Sequence, residues 1–176
     1  MIQVIVVENM DTDFYLNQFQ KIIGGINKKL LAKKSIKVAT GLFGKSVFLK
    51  LYKISWVNKP SDSLMEGSRI FFSIWINEDF IKEEKIFYNI HALKLRELNG
   101  YKITSRNFAA DFRKRFIKFE SEWPNVDLNF GPQTLMEGWQ KATGKSLQKS
   151  INNLINQFLQ IDFLIDEILA DYKIPQ

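Results

Sequence analysis

The stretch that decides the fold is KSVFLKLYKISWV (residues 45–57), followed after a polar loop by SRIFFSIWI (residues 68–76). In both runs apolar residues recur at every second position, which is the pattern of β-strands. The loop between them contains Pro60 and Gly67, which interrupt strands. Because consecutive strands usually pair, we predict a long antiparallel hairpin over residues 45–77.

The two faces of this hairpin differ in composition. One face is apolar. The other mixes aromatic with basic side chains, namely Phe48, Tyr52, Trp56, Phe71, Trp75, Lys50 and Arg69. An open sheet face of this kind stacks bases and holds a phosphate backbone. Alternatively, helices cover both faces and the basic side chains extend past the aromatic ones to solvent. We favour the second account because the rest of the chain predicts several helices.

Length and composition indicate one globular domain over residues 1–176, because 45% of its residues are hydrophobic and the chain is long enough for a core of its own. The sequence contains no cysteine, which excludes disulfides, thiolate zinc sites and a cysteine nucleophile. Its start lacks the features of a signal peptide. No apolar stretch reaches the roughly 20 residues needed to cross a bilayer. We therefore expect a cytoplasmic protein with no membrane partner.

The net charge of +6 is concentrated in residues 94–118. This segment holds eight basic residues against only Glu97 and Asp111, so the remainder of the chain is neutral. A local basic segment of this kind is typical of nucleic-acid-binding surfaces. The candidate nucleic-acid-binding residues are Lys94, Arg96, Lys102, Arg106, Arg113, Lys114, Arg115 and Lys118.

A second interpretation of the basic segment is structural. Acidic residues crowd the last turns of the C-terminal helix, where they oppose the helix dipole. These acids are Asp162, Asp166, Glu167 and Asp171. They require cationic neighbours, and the cations we consider for that role are Arg106, Arg113, Lys114 and Lys118. In that case the basic segment neutralises the fold rather than a nucleic acid.

Periodicity predicts the remaining elements. Residues 2–7 and 36–38 are predicted as short strands, and a helix is predicted to begin at Asp11 or Thr12. Three- and four-residue spacing predicts further helices over residues 81–99, from Thr104 or Ser105 to Trp123, and from Pro132 to Gly144. The longest helix is predicted over about residues 146–172. The predicted fold class is therefore α+β, with helices packed on a mainly antiparallel sheet.

The long C-terminal helix also carries a candidate interface residue. Its apolar residues follow four-three spacing, but they form a stripe that is wider than a coiled-coil seam. We therefore favour packing on the domain's own sheet over dimerisation. Phe163 lies on the polar side of this helix. Because single exposed apolar residues are common, it is either an idle surface ring or a contact with a second chain.

Three local patterns that suggest chemistry are weak. Residues 39–46 resemble a phosphate-binding loop, but a strand rather than a helix follows Ser46, so we expect no nucleotide site there. Glu83-Glu84-Lys85 has the spacing of a nuclease motif, yet solvated charge is the better interpretation. A lone histidine beside apolar residues, His91, is typical of a hydrogen-bonded structural residue. We therefore assign no catalytic residue, cofactor or metal ligand.

Three function classes remain compatible with the sequence. The first is a nucleic-acid-associated module that uses the basic segment, together with the sheet aromatics. The second is a protein-interaction or regulatory domain, which includes a homodimer formed through the C-terminal helix. The third is an enzyme with a carboxylate site, such as a metal-dependent nuclease, and it has the least support because no acid–base or nucleophile constellation is evident.

Overall fold

The computed structural model describes residues 10–58 and 69–176. Within them the chain forms an α+β fold, as the sequence predicts. The helices are α1 Thr12–Gly25, α2 Lys28–Lys33, α3 Glu78–Lys82, α4 Ser105–Phe116 and α5 Leu147–Asp171. The strands are β1 Ile36–Phe43, β2 Ser46–Lys53, β3 Ile70–Ile76, β4 Lys85–Ala92 and β5 Thr134–Lys141. The strand predicted at residues 2–7 lies outside the described residues.

The five strands form one antiparallel sheet in the order β1-β2-β3-β4-β5. Its β2–β3 pair is the predicted central hairpin, with Val47 opposite Ile76 and Leu49 opposite Ile74. This register places the apolar residues of both strands on the same face, because side chains alternate along a strand. The prediction for residues 45–77 is therefore confirmed over the part that the structure describes.

Two predicted helices are strands in the structure. The segment 81–99 contains β4 rather than a long helix, and most of the segment 132–144 is β5. In β4, alternate residues from Ile86 to Ala92 are buried, but bulky apolar residues also occupy positions between them and obscure the alternation. In β5, Gly138 falls within the segment predicted as a helix. A Cβ atom at Gly138 would lie 2.2 Å from the Tyr88 hydroxyl, so this glycine allows Tyr88 to cross beneath the strand.

The segment that resembles a phosphate-binding loop is a β-hairpin. Phe43 of β1 lies opposite Ser46 of β2, which leaves a two-residue turn whose first residue, Gly44, has φ +56°. A glycine with positive φ at this position is what a two-residue hairpin turn favours. The strand that begins at Ser46 occupies the place where a phosphate-binding loop has its helix.

The helices α1, α4 and α5 pack on one face of the sheet. At its centre the ring of Phe72 stacks on Phe158 of α5 at 4.6 Å and meets Trp123 edge-on. The helix α5 confirms the predicted long C-terminal helix, and buried residues occur along its whole length, as the wide apolar stripe indicates. Among the described helices, none is both long enough and apolar enough to cross a bilayer.

A buried ion-pair network joins β2, α2 and α5. The side chains of Lys53 and Asp162 are only 9% and 2% exposed, and Lys53 Nζ lies 2.7 Å from Asp162 Oδ2. Lys34 Nζ contacts the other Asp162 oxygen at 2.7 Å, while Asp166 accepts hydrogen bonds from Lys53 and from Trp56 Nε1. Burial by itself lowers the pKa of Lys53, but the two carboxylates outweigh it and raise that pKa.

This network makes a prediction about stability. Asp162→Ala leaves Lys53 buried beside a single carboxylate, so we expect the free energy of unfolding to fall by about 3 kcal/mol. Urea unfolding at neutral pH measures it. The control is Glu167→Ala, which removes an exposed partner of Arg115 and should cost less than about 1 kcal/mol. Equal losses in the two variants would contradict a structural role for the network.

The same network predicts a dependence of stability on pH. Because the folded-state pKa of Lys53 is raised, its contribution is complete below the unfolded value of about 10.4 and is lost as the pH rises through the folded value. In alkaline urea titrations the gap in stability between wild type and Lys53→Met should therefore narrow. A gap that stays constant up to the alkaline limit of folding would contradict this assignment.

Candidate functional site on the open face of the sheet

The sheet face opposite α1, α4 and α5, which we call the open face, differs from our expectation. We predicted that helices cover both faces. Among the described residues, the helical contact recorded on the open face comes from short α3, whose Phe80 ring packs on Trp75 at 4.8 Å and on Phe87 at 3.8 Å. The remainder of this face surrounds a hollow.

Four polar side chains cross the open face at directly opposed positions. Lys50 of β2 lies opposite Ser73 of β3. Asn89 of β4 lies opposite Ser73 on one side and opposite Glu137 of β5 on the other. We call these four residues the polar row. Ser73 Oγ donates a hydrogen bond to Asn89 Oδ1, and Asn89 Nδ2 lies 3.4 Å from Glu137 Oε2, so three of the four are linked in a chain.

Aromatic side chains flank the polar row on both sides. On one side lie the opposed residues Phe48, Trp75, Phe87 and Trp139. On the other side Phe71 lies opposite His91, with their ring centres 5.3 Å apart. These walls enclose a hollow of about 570 Å³, which we call the sheet hollow. Its size and its apolar walls with a few polar groups are typical of a ligand site.

Lys50 is the cation of the sheet hollow. Its Nζ lies 4.2 Å from the centre of the Phe71 ring and 5.3 Å from that of Phe48, where the ring faces attract positive charge. Burial lowers the pKa of Lys50, because leaving water disfavours the charged form. An anion bound beside this ammonium group would restore part of its lost solvation.

His91 is hydrogen-bonded, as the sequence indicates. Its Nδ1 lies 3.3 Å from the main-chain oxygen of Gln133 and 3.2 Å from Thr134 Oγ1. Burial lowers the pKa of His91, a hydrogen bond to Gln133 acts in the opposite direction, and the charge of Lys50 lowers it further. Since the carbonyl of Gln133 can only accept, Nδ1 carries the proton and Nε2 is the acceptor of a neutral ring.

Phe43 and Trp75 also line the sheet hollow. Phe43, at the end of β1, is 72% exposed and lines the rim. The indole nitrogen of Trp75, also in the lining, is buried and has no hydrogen-bond partner among the described residues. Buried donors are normally paired, so this one lacks the partner that such a group usually has.

The predicted basic segment does not form a single surface. Arg113 is structural: its guanidinium donates hydrogen bonds to main-chain oxygens that precede and begin β5, at 2.8 to 3.1 Å. Arg115 contacts Glu167 at 3.2 Å and Asp171 at 2.6 Å. The acids of α5 therefore have cationic neighbours, as we predicted, but these are Lys34, Lys53 and Arg115 rather than the four cations we considered.

Six of the candidate cations remain exposed: Lys94, Arg96, Lys102, Arg106, Lys114 and Lys118. Three of them, Lys94, Arg96 and Arg106, line a second hollow of about 490 Å³ together with Pro132 and Gln133. We call it the basic hollow. It adjoins the sheet hollow, because Gln133 contacts His91 and Lys94 follows Leu93, a residue of the sheet-hollow lining.

Phe163, the predicted interface residue, lies between α4 and α5. Its side chain is 39% exposed, and its ring meets Phe119 edge-on at 6.1 Å. Both rings line a third hollow of about 490 Å³, whose rim includes Lys114 and Lys118. Phe163 is thus partly packed on its own chain and partly open to a partner.

The carboxylate motif does not gather into a metal site. Glu83 and Glu84 form the turn between α3 and β4, and Lys85 Nζ contacts Glu83 at 2.8 Å. In the part of the chain that the structure describes, no three histidine or acidic side chains lie close enough together to hold a metal ion.

Sequence reasoning missed half of the polar row, namely Asn89 and Glu137. Ser73 lies on the same face as Phe71 and Trp75 in a strand that the sequence predicts. The sequence therefore places it on the face that mixes aromatic with basic side chains. Asn89 and Glu137 lie in segments that we predicted as helices, where a side chain cannot be assigned to a sheet face. In the structure Asn89 lies opposite Ser73, and Glu137 lies opposite Asn89.

Comparisons with known proteins do not add an assignment. No protein-family model matches the chain, and neither a curated protein nor a solved structure matches it significantly. The site must therefore be interpreted from its own geometry.

Two adjacent cations of α4 should behave differently when replaced. Arg113→Gln removes hydrogen bonds from a charged donor to several carbonyls, so we expect the free energy of unfolding to fall by about 2 kcal/mol or more. Lys114→Gln removes an exposed charge and should change it by less than about 0.5 kcal/mol. Urea unfolding measures both. If the two changes are alike, Arg113 does not anchor the segment before β5.

Proposed function

We propose that this protein binds single-stranded nucleic acid on the open face of its sheet, with the strand continuing into the basic hollow. The observation that carries the proposal is the aromatic-walled sheet hollow, which contains Lys50 and adjoins Lys94, Arg96 and Arg106. Single-strand-binding proteins combine a positively charged path for the backbone with aromatic rings on which bases stack.

The charge of the open face supports this proposal. Its strand residues include four lysines, Lys37, Lys50, Lys85 and Lys141, against one acid, Glu137. Lys85 lies over the Trp139 ring at 4.6 Å, so cation and aromatic ring occur together at this end of the sheet as well. A phosphate backbone gains from each such cation by releasing condensed counterions.

The layout of the helices supports it too. Because α1, α4 and α5 pack on the other face, the open face presents several strands side by side. A flexible single-stranded nucleic acid crosses neighbouring β-strands and contacts a ring or a cation on each of them. A rigid duplex contacts a concave surface only at its rim. We therefore expect single strands to bind more tightly than duplexes.

Strand binding is tested by fluorescence anisotropy with labelled single-stranded and duplex oligonucleotides over a series of salt concentrations. Affinity should fall as salt rises, with a logarithmic slope of about 0.7 for each phosphate contacted. Phe43→Ala removes an exposed ring and should weaken binding roughly fivefold or more, because a stacked base contributes about 1–3 kcal/mol. Arg96→Glu with Arg106→Glu should weaken binding and reduce the slope.

The control for charge is Lys149→Glu, which alters an exposed lysine at the start of α5, away from both hollows. It should leave affinity and slope almost unchanged. If no strand binds at low salt, or if the three variants weaken binding equally, the proposal is wrong. Saturable binding of small organic anions without strand binding would instead make the sheet hollow a metabolite site.

A second proposal keeps the protein-interaction alternative. We propose that the hollow between α4 and α5 contacts a second copy of this chain through Phe163. Its rim carries the cations Lys114, Arg115 and Lys118 beside the acids Asp111 and Glu167. Ile117 of the same region is 65% exposed. A patch with both signs of charge is self-complementary under a two-fold axis, because cations of one copy then face acids of the other.

Dimerisation through Phe163 is tested by analytical ultracentrifugation at tens of micromolar. Phe163→Glu should lower the apparent mass while the circular dichroism spectrum and the melting temperature stay close to those of the wild type. Gln160→Glu, which places the same charge on an exposed position one turn away, should have a smaller effect. A wild type that sediments as a monomer would rule out the homodimer.

A further inference from the structure

Buried polar side chains in the middle of the open face call for an explanation. Ser73 and Asn89 are 6% and 4% exposed, and aromatic residues flank both along their strands. Burying polar groups costs free energy unless they are hydrogen-bonded, and an apolar pair at these opposed positions would pack equally well. The two residues are satisfied chiefly by each other and by Glu137, so their joint effect is to fix that carboxylate.

The hydrogen-bond chain sets the orientation of each group in turn. Ser73 Oγ donates to Asn89 Oδ1, which leaves Asn89 Nδ2 as the group that points to Glu137 Oε2. The main chain of Glu137 is held as well, since its N–H and C=O bond to Asp127 at 3.0 and 2.7 Å. Glu137 thus presents a positioned carboxylate in the lining of the sheet hollow.

A carboxylate recognises an edge that carries two adjacent donors. Guanine has such an edge, in N1–H and the N2 amino group. Adenine and cytosine place a ring acceptor beside their amino group, and uracil places carbonyls on both sides of its N–H. These acceptors repel a carboxylate, so a positioned glutamate favours guanine over the other bases.

We propose that the sheet hollow binds a guanine nucleotide, with the Watson–Crick edge of the base on Glu137 and its phosphate towards Lys50. This inference rests on the proposed function and specifies the base that is read. Lys50 and Glu137 lie at opposite ends of the polar row, three strand spacings or about 14 Å apart along the sheet. The phosphate of the nucleotide is complementary to the positive charge of Lys50, and the donor edge of guanine is complementary to the negative charge of Glu137.

Two neighbouring features fit the same ligand. The indole N–H of Trp75, buried and without a partner among the described residues, supplies a donor for the O6 carbonyl beside N1. Phe71 of β3, which lies nearer the middle of the polar row, provides an apolar wall for the planar base. An arginine side chain also has paired donors, but its positive charge would meet Lys50 in the same hollow.

The test compares short oligouridine strands that carry one central guanosine, inosine, adenosine or cytidine, by anisotropy at fixed salt. Guanosine should bind on the order of tenfold more tightly than adenosine or cytidine, as expected for a good bidentate contact. Inosine keeps N1–H but lacks the amino group, so it should lose much of this gain. Glu137→Gln should remove the preference, so that the guanosine strand binds no more tightly than the adenosine or cytidine strand, whereas Glu122→Gln, an exposed control, should preserve the preference.

The outcomes separate this inference from the proposed function. If strands bind without a preference for guanosine, or if Glu137→Gln retains the preference, the guanine assignment is overturned and strand binding stands. If no strand binds, calorimetry with guanosine 5′-monophosphate decides: saturable heat that Glu137→Gln abolishes supports the site, and no heat overturns it. Should Glu137→Gln unfold, the comparison of guanosine with inosine on the wild-type protein is decisive.

Discussion

The structure depends above all on the buried ion pair between Lys53 and Asp162. It joins the end of β2 to the middle of α5, and Lys34 connects the end of α2 to the same carboxylate. A buried pair of this kind adds little net stability over apolar residues, but a structure that separates its members is strongly disfavoured. It therefore sets how α5 lies on the sheet, both along its axis and about it, because a shift in either direction would separate Lys53 from Asp162.

The position of α5 determines what the other face of the sheet is used for. With α5 fixed over β3 and β4, the helices α1 and α4 pack beside it on the same face and bury the aromatic core around Phe72. The open face carries Lys50 and a chain of polar side chains between its aromatic rings. Stability and binding are thus divided between the two faces of one sheet.

The cations of the basic segment differ in whether they make contacts within the fold. In the basic segment, Arg113 and Arg115 are used within the chain, whereas Lys94, Arg96 and Arg106 surround a hollow with no ion partner recorded among the described residues. Some of the excess basic residues of the segment 94–118 therefore hold the fold together, and others are exposed on the surface. A count of charges along the sequence cannot separate these two groups of cations. An arginine that binds main-chain carbonyls and an arginine in solvent contribute the same charge to that count.

The sequence alone determined the α+β class, the central hairpin, the helix capped at Asp11, the helix that begins near Ser105 and the long C-terminal helix. Each of these has a strong local period or cap, which is a property of neighbouring residues. Only the tertiary structure decided that residues 85–92 and 134–141 are strands, since their hydrogen bonds come from partners distant in the chain. It also decided the polar row, because the opposition of Lys50, Ser73, Asn89 and Glu137 is a matter of register between four strands, and register is not written in any one of them.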